Sequence, residues 1–432
     1  MVSDVVSRLI ADVPLPKMAP VCQHFSAGRI EPGAIYETVR AELLNAGLAR
    51  RLHAGQRVAV TAGSRGIVNI ALITKAIADT CLELEAKPFI VPAMGSHGGA
   101  TAEGQRAVLT AYGITEAYCG CPILSSMETV EAARTRDGES LYMDRHAATA
   151  DAIIVCGRIK PHTAFRGPYE SGLMKMLVVG LGKQKGADAF HGKGYGNFAR
   201  LLPAYGKLLL ENKPVIMGLG LLENAFDETC LIRAVPPERF EADEPELLER
   251  AKRNMAKIYF AGCDILIIDR IGKDISGDGA DPNITGAFAT PYAGGGISTQ
   301  RIAILDISPG TRNPLGVSGA HVTTRRLYEK ADLDQMYINC ITSRILEGAR
   351  MPLVVANDRE ALQICLKTCP TYGAEGPTVI RIADTLHLSR ISVSENLLGT
   401  AAQIPELEIV AGASDIRFDE QGNFAESLLE DL

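Results

Sequence analysis

Two imidazoles and an amine lie within one stretch of this chain, Gly157 to His191, which reads GRIKPHTAFRGPYESGLMKMLVVGLGKQKGADAFH. His162 follows Pro161, which fixes the chain direction and disfavours helix at Lys160. An imidazole there can take or give a proton near neutral pH. Lys175 has apolar neighbours on both sides. A lysine drawn out of water can become a nucleophilic amine, whereas one whose stem packs while its head reaches water has no chemical role. His191 is a candidate metal ligand. Two loops further back add His97, in GSHGGAT, and Arg65, in TAGSRG. Glycines around His97 let backbone approach a ligand closely, and an arginine in such a loop can clamp a carboxylate or phosphate. Ser64, Arg158, Lys160 and Gly172 line the same segments as candidate cofactor contacts.

These residues need rigid elements behind them. RVAVTAG from Arg57, PFIVPAMG and DAIIVCGRIK are buried-strand patterns, each ending in a polar loop, and helical patterns separate them. Alternating strand and helix implies a parallel sheet with crossover helices. Loops at the carboxyl ends of such strands are where open α/β sheets bind ligands. The apolar run MLVVGLG, bounded by glycine, reads as a further buried strand with Lys175 at its mouth. A second series begins near Cys263 with DILIIDRIGK, the glycine-rich ISGDGADPNITGAF, RIAILDIS, PLVVAND and TVIRIADT. The expected fold is therefore α/β: two α/β domains with mainly parallel sheets, residues 1–265 and 266–432, and a cofactor cleft between them. The acidic tail ending in FAESLLEDL is expected to form a helix that packs back on the first domain.

Composition narrows the function. The chain has 432 residues, 47% of them apolar and 22% charged, which suits a multidomain globular protein. A net charge of −7 with no basic run argues against nucleic acid and against an anionic membrane surface. No apolar segment is long enough to span a bilayer, and the start carries Asp4 and Asp12 without a signal-peptide core, so a cytoplasmic location is expected. Ten cysteines are too sparse for a disulfide scaffold, and the lone C-x-C of Cys119 and Cys121 lacks the second pair a zinc site wants. H-E-x-x-H, G-x-S-x-G and Walker A patterns are all absent.

Taken in order, Arg65 in GSRG, His97 in GSHGGAT, His162 in RIKPH, Lys175 in SGLMK and His191 in DAFH resemble the nickel-dependent lactate racemase family. The resemblance implies an isomerase, a racemase or epimerase of a 2-hydroxy acid. It implies a nickel-pincer nucleotide cofactor bonded to Lys175, with His191 as nickel ligand and His97 and His162 as the acid–base pair. Arg65 would hold the substrate carboxylate. Partners would be a small-molecule 2-hydroxy acid and the enzymes that make the cofactor. The family's second-domain residues that face substrate have no direct match here, and Asp281 and Asn283 are candidates to stand in for them. Two further readings of the same residues are a zinc-dependent hydrolase or lyase built on the three histidines and a non-catalytic anion-binding protein.

Overall fold

Strand β1 (Met18–Gln23) does not pair with the strands that follow it in sequence. The computed structural model describes residues 4–64, 66–370 and 376–429. It divides the chain into two compact units, residues 27–255 and a second unit made of 1–26 with 256–432. The division expected at 265/266 falls instead at 255/256, and residues 1–26 group with the C-terminal unit. Alternating buried Ala19 and Val21 make β1 an inner strand of the C-terminal unit's sheet.

Unit 27–255 holds β2 (Arg57–Ala62), β3 (Lys87–Pro92), β4 (Thr129–Arg134), β5 (Ser140–Asp144), β6 (Ala152–Arg158), β7 (Val215–Glu223) and β8 (Thr229–Val235). Its main sheet runs β3-β2-β6-β7-β8, with the first four strands parallel and β8 antiparallel to β7. β4 and β5 form a separate hairpin. Val58, Val60, Ile90, Val91 and Ile153 to Val155 are fully buried, as a sheet covered on both faces requires. Helices Ile70–Glu83 and Ala102–Ala111 follow β2 and β3, so the strand–helix alternation read from sequence is realised.

One expectation fails here. The run around MLVVGLG is helical: a short helix, Leu173–Lys175, passes into a wide turn over Met176–Gly180, with Leu181 N–H donating to Met176 O. A short apolar run does not separate a buried strand from a buried helix by periodicity. The deciding contacts are tertiary. Glu244, wholly buried on the helix Phe240–Asn254, accepts the Met174 N–H at 3.1 Å and so starts the helix. A Cβ at Gly172 would lie 2.1 Å from Glu244 Oε1, which makes glycine necessary at that point.

The C-terminal unit adds β9 (Ile265–Ile271), β10 (Arg301–Ile307), β11 (Val322–Thr324), β12 (Leu353–Val355), β13 (Val379–Ile382), β14 (Arg390–Ser394) and β15 (Leu407–Ile409). Its sheet runs β12-β11-β10-β9-β13-β14-β1-β15, parallel through β13 and antiparallel beyond. The tail packs on this unit. Arg381 pairs with Asp269 at 2.7 and 2.8 Å, donates to Glu426 O at 2.8 Å and stacks on Phe424. Over its described residues the tail is an irregular strap rather than a helix, because Asp419 ties its own loop by accepting the Gln421 and Asn423 N–H groups. No helix among the described residues is long and apolar enough to cross a membrane.

Candidate functional site

The parallel pairing of β3, β2, β6 and β7 puts the loops after them on one edge of the sheet. Ser64 follows β2, His97 follows β3, and Lys160 and His162 follow β6. The helical segment that carries Lys175 lies across this edge. A Cβ at Gly157, in β6, would meet Met176 at 2.8 Å, one at Gly63 would meet it at 3.5 Å, and one at Gly180 would meet Ala93 O at 2.7 Å. Lys175 is therefore half-buried within a helix rather than at the mouth of a strand.

His97 is exposed. Its Nδ1 is hydrogen-bonded to the Ser64 hydroxyl, and Ser64 is held in turn by Tyr112, whose hydroxyl donates to Ser64 O at 2.7 Å. A hydroxyl can donate or accept, so the His97 ring can gain or lose a proton without losing this partner.

His162 sits in a loop closed by reciprocal Lys160–Ser171 backbone hydrogen bonds of 3.0 and 3.1 Å. Glu170, fully buried, accepts the His162 N–H at 2.7 Å and pairs with Arg166 at 3.2 Å and Lys252 at 3.2 Å. Arg166 also donates to His162 O at 2.5 Å. The ring's Nδ1 accepts the Ala164 N–H at 3.0 Å, which places the proton of the neutral ring on Nε2.

His191 ends the helix Lys183–His191. Its Nδ1 lies 2.7 Å from Ala187 O. A carbonyl only accepts, so Nδ1 carries the hydrogen and Nε2 the lone pair, the form in which histidine binds metals. Tyr195 brings His162 and His191 into one aromatic cluster, its ring centroid 6.3 Å from the first and 5.8 Å from the second. Phe165 and Phe198 complete it.

The remaining candidates have local duties as well. Arg158 is ion-paired with the buried Glu223 of β7 and reaches Gly66 O at 3.4 Å, which ties the ends of β6 and β7 to the loop after β2. Burial pushes the Glu223 carboxyl up, and Arg158 opposes this. In the C-terminal unit, Asp281 caps the short helix Pro282–Thr285 by accepting from the Asn283 N–H at 2.9 Å and its amide at 2.8 Å. Arg65 lies outside the described residues.

Sequence reading missed Glu170, Glu244, Lys183 and Gln105. Glu244 sits in a charged run, as surface carboxylates do, and Glu170 in a glycine- and proline-containing segment that reads as a loop, so nothing local marks either as buried. Lys183 had a signal: it stands directly after the glycine-bounded apolar run. No group of three or more histidine, cysteine, aspartate or glutamate side chains among the described residues is arranged to hold a metal ion.

No family model matches the chain, and no curated protein does. Among solved structures, the chain is similar to the lactate racemase apoprotein from Thermoanaerobacterium thermosaccharolyticum, with a TM-score of 0.45 and 13% identity over 78% of this chain and 98% of that one. It is also similar to a protein from Thermotoga maritima, with a TM-score of 0.45 and 13% identity over 82% of this chain and 86% of that one.

Proposed function

We propose that the protein is a racemase or epimerase of a 2-hydroxy acid that works with a nickel-pincer nucleotide held at Lys175 and His191. The observation that carries the reading is the cluster in which Tyr195 packs with both His162 and His191, the latter fixed by its Nδ1–H bond to Ala187 O. A histidine in the tautomer that coordinates through Nε2 suits a metal that arrives with its other donors already in place. A half-buried lysine at position 175 suits a covalent tether. When bound, such a cofactor supplies an acceptor that takes up and returns a hydride.

The protein's own residues then handle the proton and the carboxylate. His97 takes the substrate hydroxyl proton, aided by Ser64, and His162 serves the opposite face. Protonating His162 displaces the Ala164 N–H from Nδ1, so its turn as acid or base includes a small movement of its loop. Arg65 holds the carboxylate and fixes orientation. Arg158 and Lys160 add positive charge at the same sheet edge, where a nucleotide phosphate would bind. Asp281 and Asn283 are the substrate contacts proposed for the C-terminal unit.

Incubating the protein, made alongside cofactor-producing enzymes, with single enantiomers of 2-hydroxy acids in D2O tests the reaction. The expected result is inversion with the C2 hydrogen retained. Washing-in of deuterium at C2 during turnover would mean proton abstraction and would overturn the hydride route.

A further inference from the structure

Lys183 is a wholly buried lysine that the proposed reaction does not use. Its ammonium donates to Pro92 O at 2.5 Å and Gln105 Oε1 at 3.0 Å, and it lies 3.3 Å from Asp144 Oδ2. Asp144 and Gln105 are also wholly buried. Two of its three donors are hydrogen-bonded, and Asp144 Oδ2 neutralises the charge at ion-pair distance without a hydrogen bond. Because lysine only donates, the Gln105 oxygen must face it, and the amide nitrogen must face away. That nitrogen donates to Gly95 O at 2.9 Å and to His97 O at 3.2 Å. The cation thereby sets the orientation of the amide that holds the His97 loop by its carbonyls.

The backbone of Lys183 adds a second observation. Its φ of 54° is left-handed, a conformation costly for a residue with a side chain. Lys183 also opens the helix whose last residue is His191. One side chain thus joins the start of the His191 helix to the end of β3 and to the loop that bears His97. Burial lowers the Lys183 pKa, and Asp144 opposes this.

We infer that Lys183 is a positioning residue for His97, acting through Gln105, and that the Lys183–Gln105–Asp144 cluster fixes the His97 loop relative to the His191 helix. This rests on the reading that His97 carries the hydroxyl proton.

The test is Gln105→Glu. A glutamate keeps an acceptor for Lys183 but cannot donate to Gly95 O and His97 O. The expected variant folds, with an unchanged circular dichroism spectrum. Its turnover falls roughly tenfold or more with a much smaller change in KM, as loss of orientation rather than of binding requires. The His97 ring signal in 15N-histidine NMR, assigned with His97→Ala, broadens or splits, and its titration curve departs from that of the wild type. Lys183→Met, uncharged and of similar length, gives the same NMR change where Gln105→Glu does not fold. A wild-type His97 titration in a folded variant overturns the inference. If His97→Ala itself keeps full turnover, the acid–base reading falls instead, and the NMR comparison still decides whether the cluster sets the loop.

Discussion

The loops that carry His97 and His162 leave the same sheet edge and are held by different groups. The His97 loop is gripped by its carbonyls, through a neutral amide that a buried cation orients. The His162 loop is gripped mainly by a buried carboxylate that accepts the His162 N–H and is flanked by two cations, one of which also donates to His162 O. Their rings differ as well: His97 faces a hydroxyl that serves either protonation state, whereas His162 is engaged by a backbone N–H that serves only one. Similar histidines can thus be given unequal freedom by their second partners. The Ser64 contact of His97 survives a change of protonation, whereas a proton gained at Nδ1 of His162 would displace the Ala164 N–H.

Replacing either histidine by alanine should have the largest effect. Turnover of a converted 2-hydroxy acid should fall by about two to four orders of magnitude in both directions, since each direction uses both residues. Unchanged turnover in either variant would remove that residue from the mechanism. Next in size is Glu170→Ala, which leaves Lys252 and Arg166 facing a buried gap and frees the His162 N–H. A loss of about 3 kcal/mol is expected by calorimetric unfolding, with Glu170→Gln losing less because it keeps an acceptor. The His97 titration should not change in either, and a change there would merge two loops that the structure treats separately.

Glu244 sharpens the contrast at the Lys175 helix. Burial pushes its carboxyl up to about 8, while the Met174 and Leu173 N–H groups pull it down. A carboxyl raised on folding adds stability below its ordinary pKa, near 4.5, and that stability drains away as pH rises through about 8. The slope is about 1.4 kcal/mol per pH unit within that window. Glu244→Gln should therefore lose ground to wild type at pH 5 and gain on it at pH 8, as read by melting temperature across pH. A parallel pH profile would show that this group is not titrating. The smallest expected effect is that of Ser64→Ala. It removes one exposed hydrogen bond, worth roughly 1 kcal/mol or less, and should shift the His97 titration alone.

Most of the architecture was legible in the sequence. β2, β3, β6, β9, β10 and β13 fall on the apolar-rich runs that the sequence marks as buried strands. Two features were not legible. β1 joins the far sheet by pairing with residues near 390 and 408, a partnership that no local pattern records. The MLVVGLG run is helical because of Glu244, about 70 residues away. His97 and His191 were visible as histidines beside glycines, and His162 as one that follows a proline after a strand. What sets their protonation was not, because Ala164, Ala187 and Ser64 act through backbone groups or a common hydroxyl.

The central claim is tested most directly by denatured intact mass together with nickel content, on protein produced with the cofactor-making enzymes. The account predicts an added mass that maps to Lys175, bound nickel, and loss of both in Lys175→Ala with the fold retained. An unmodified chain that binds zinc, or no metal, from the same competent host would contradict it.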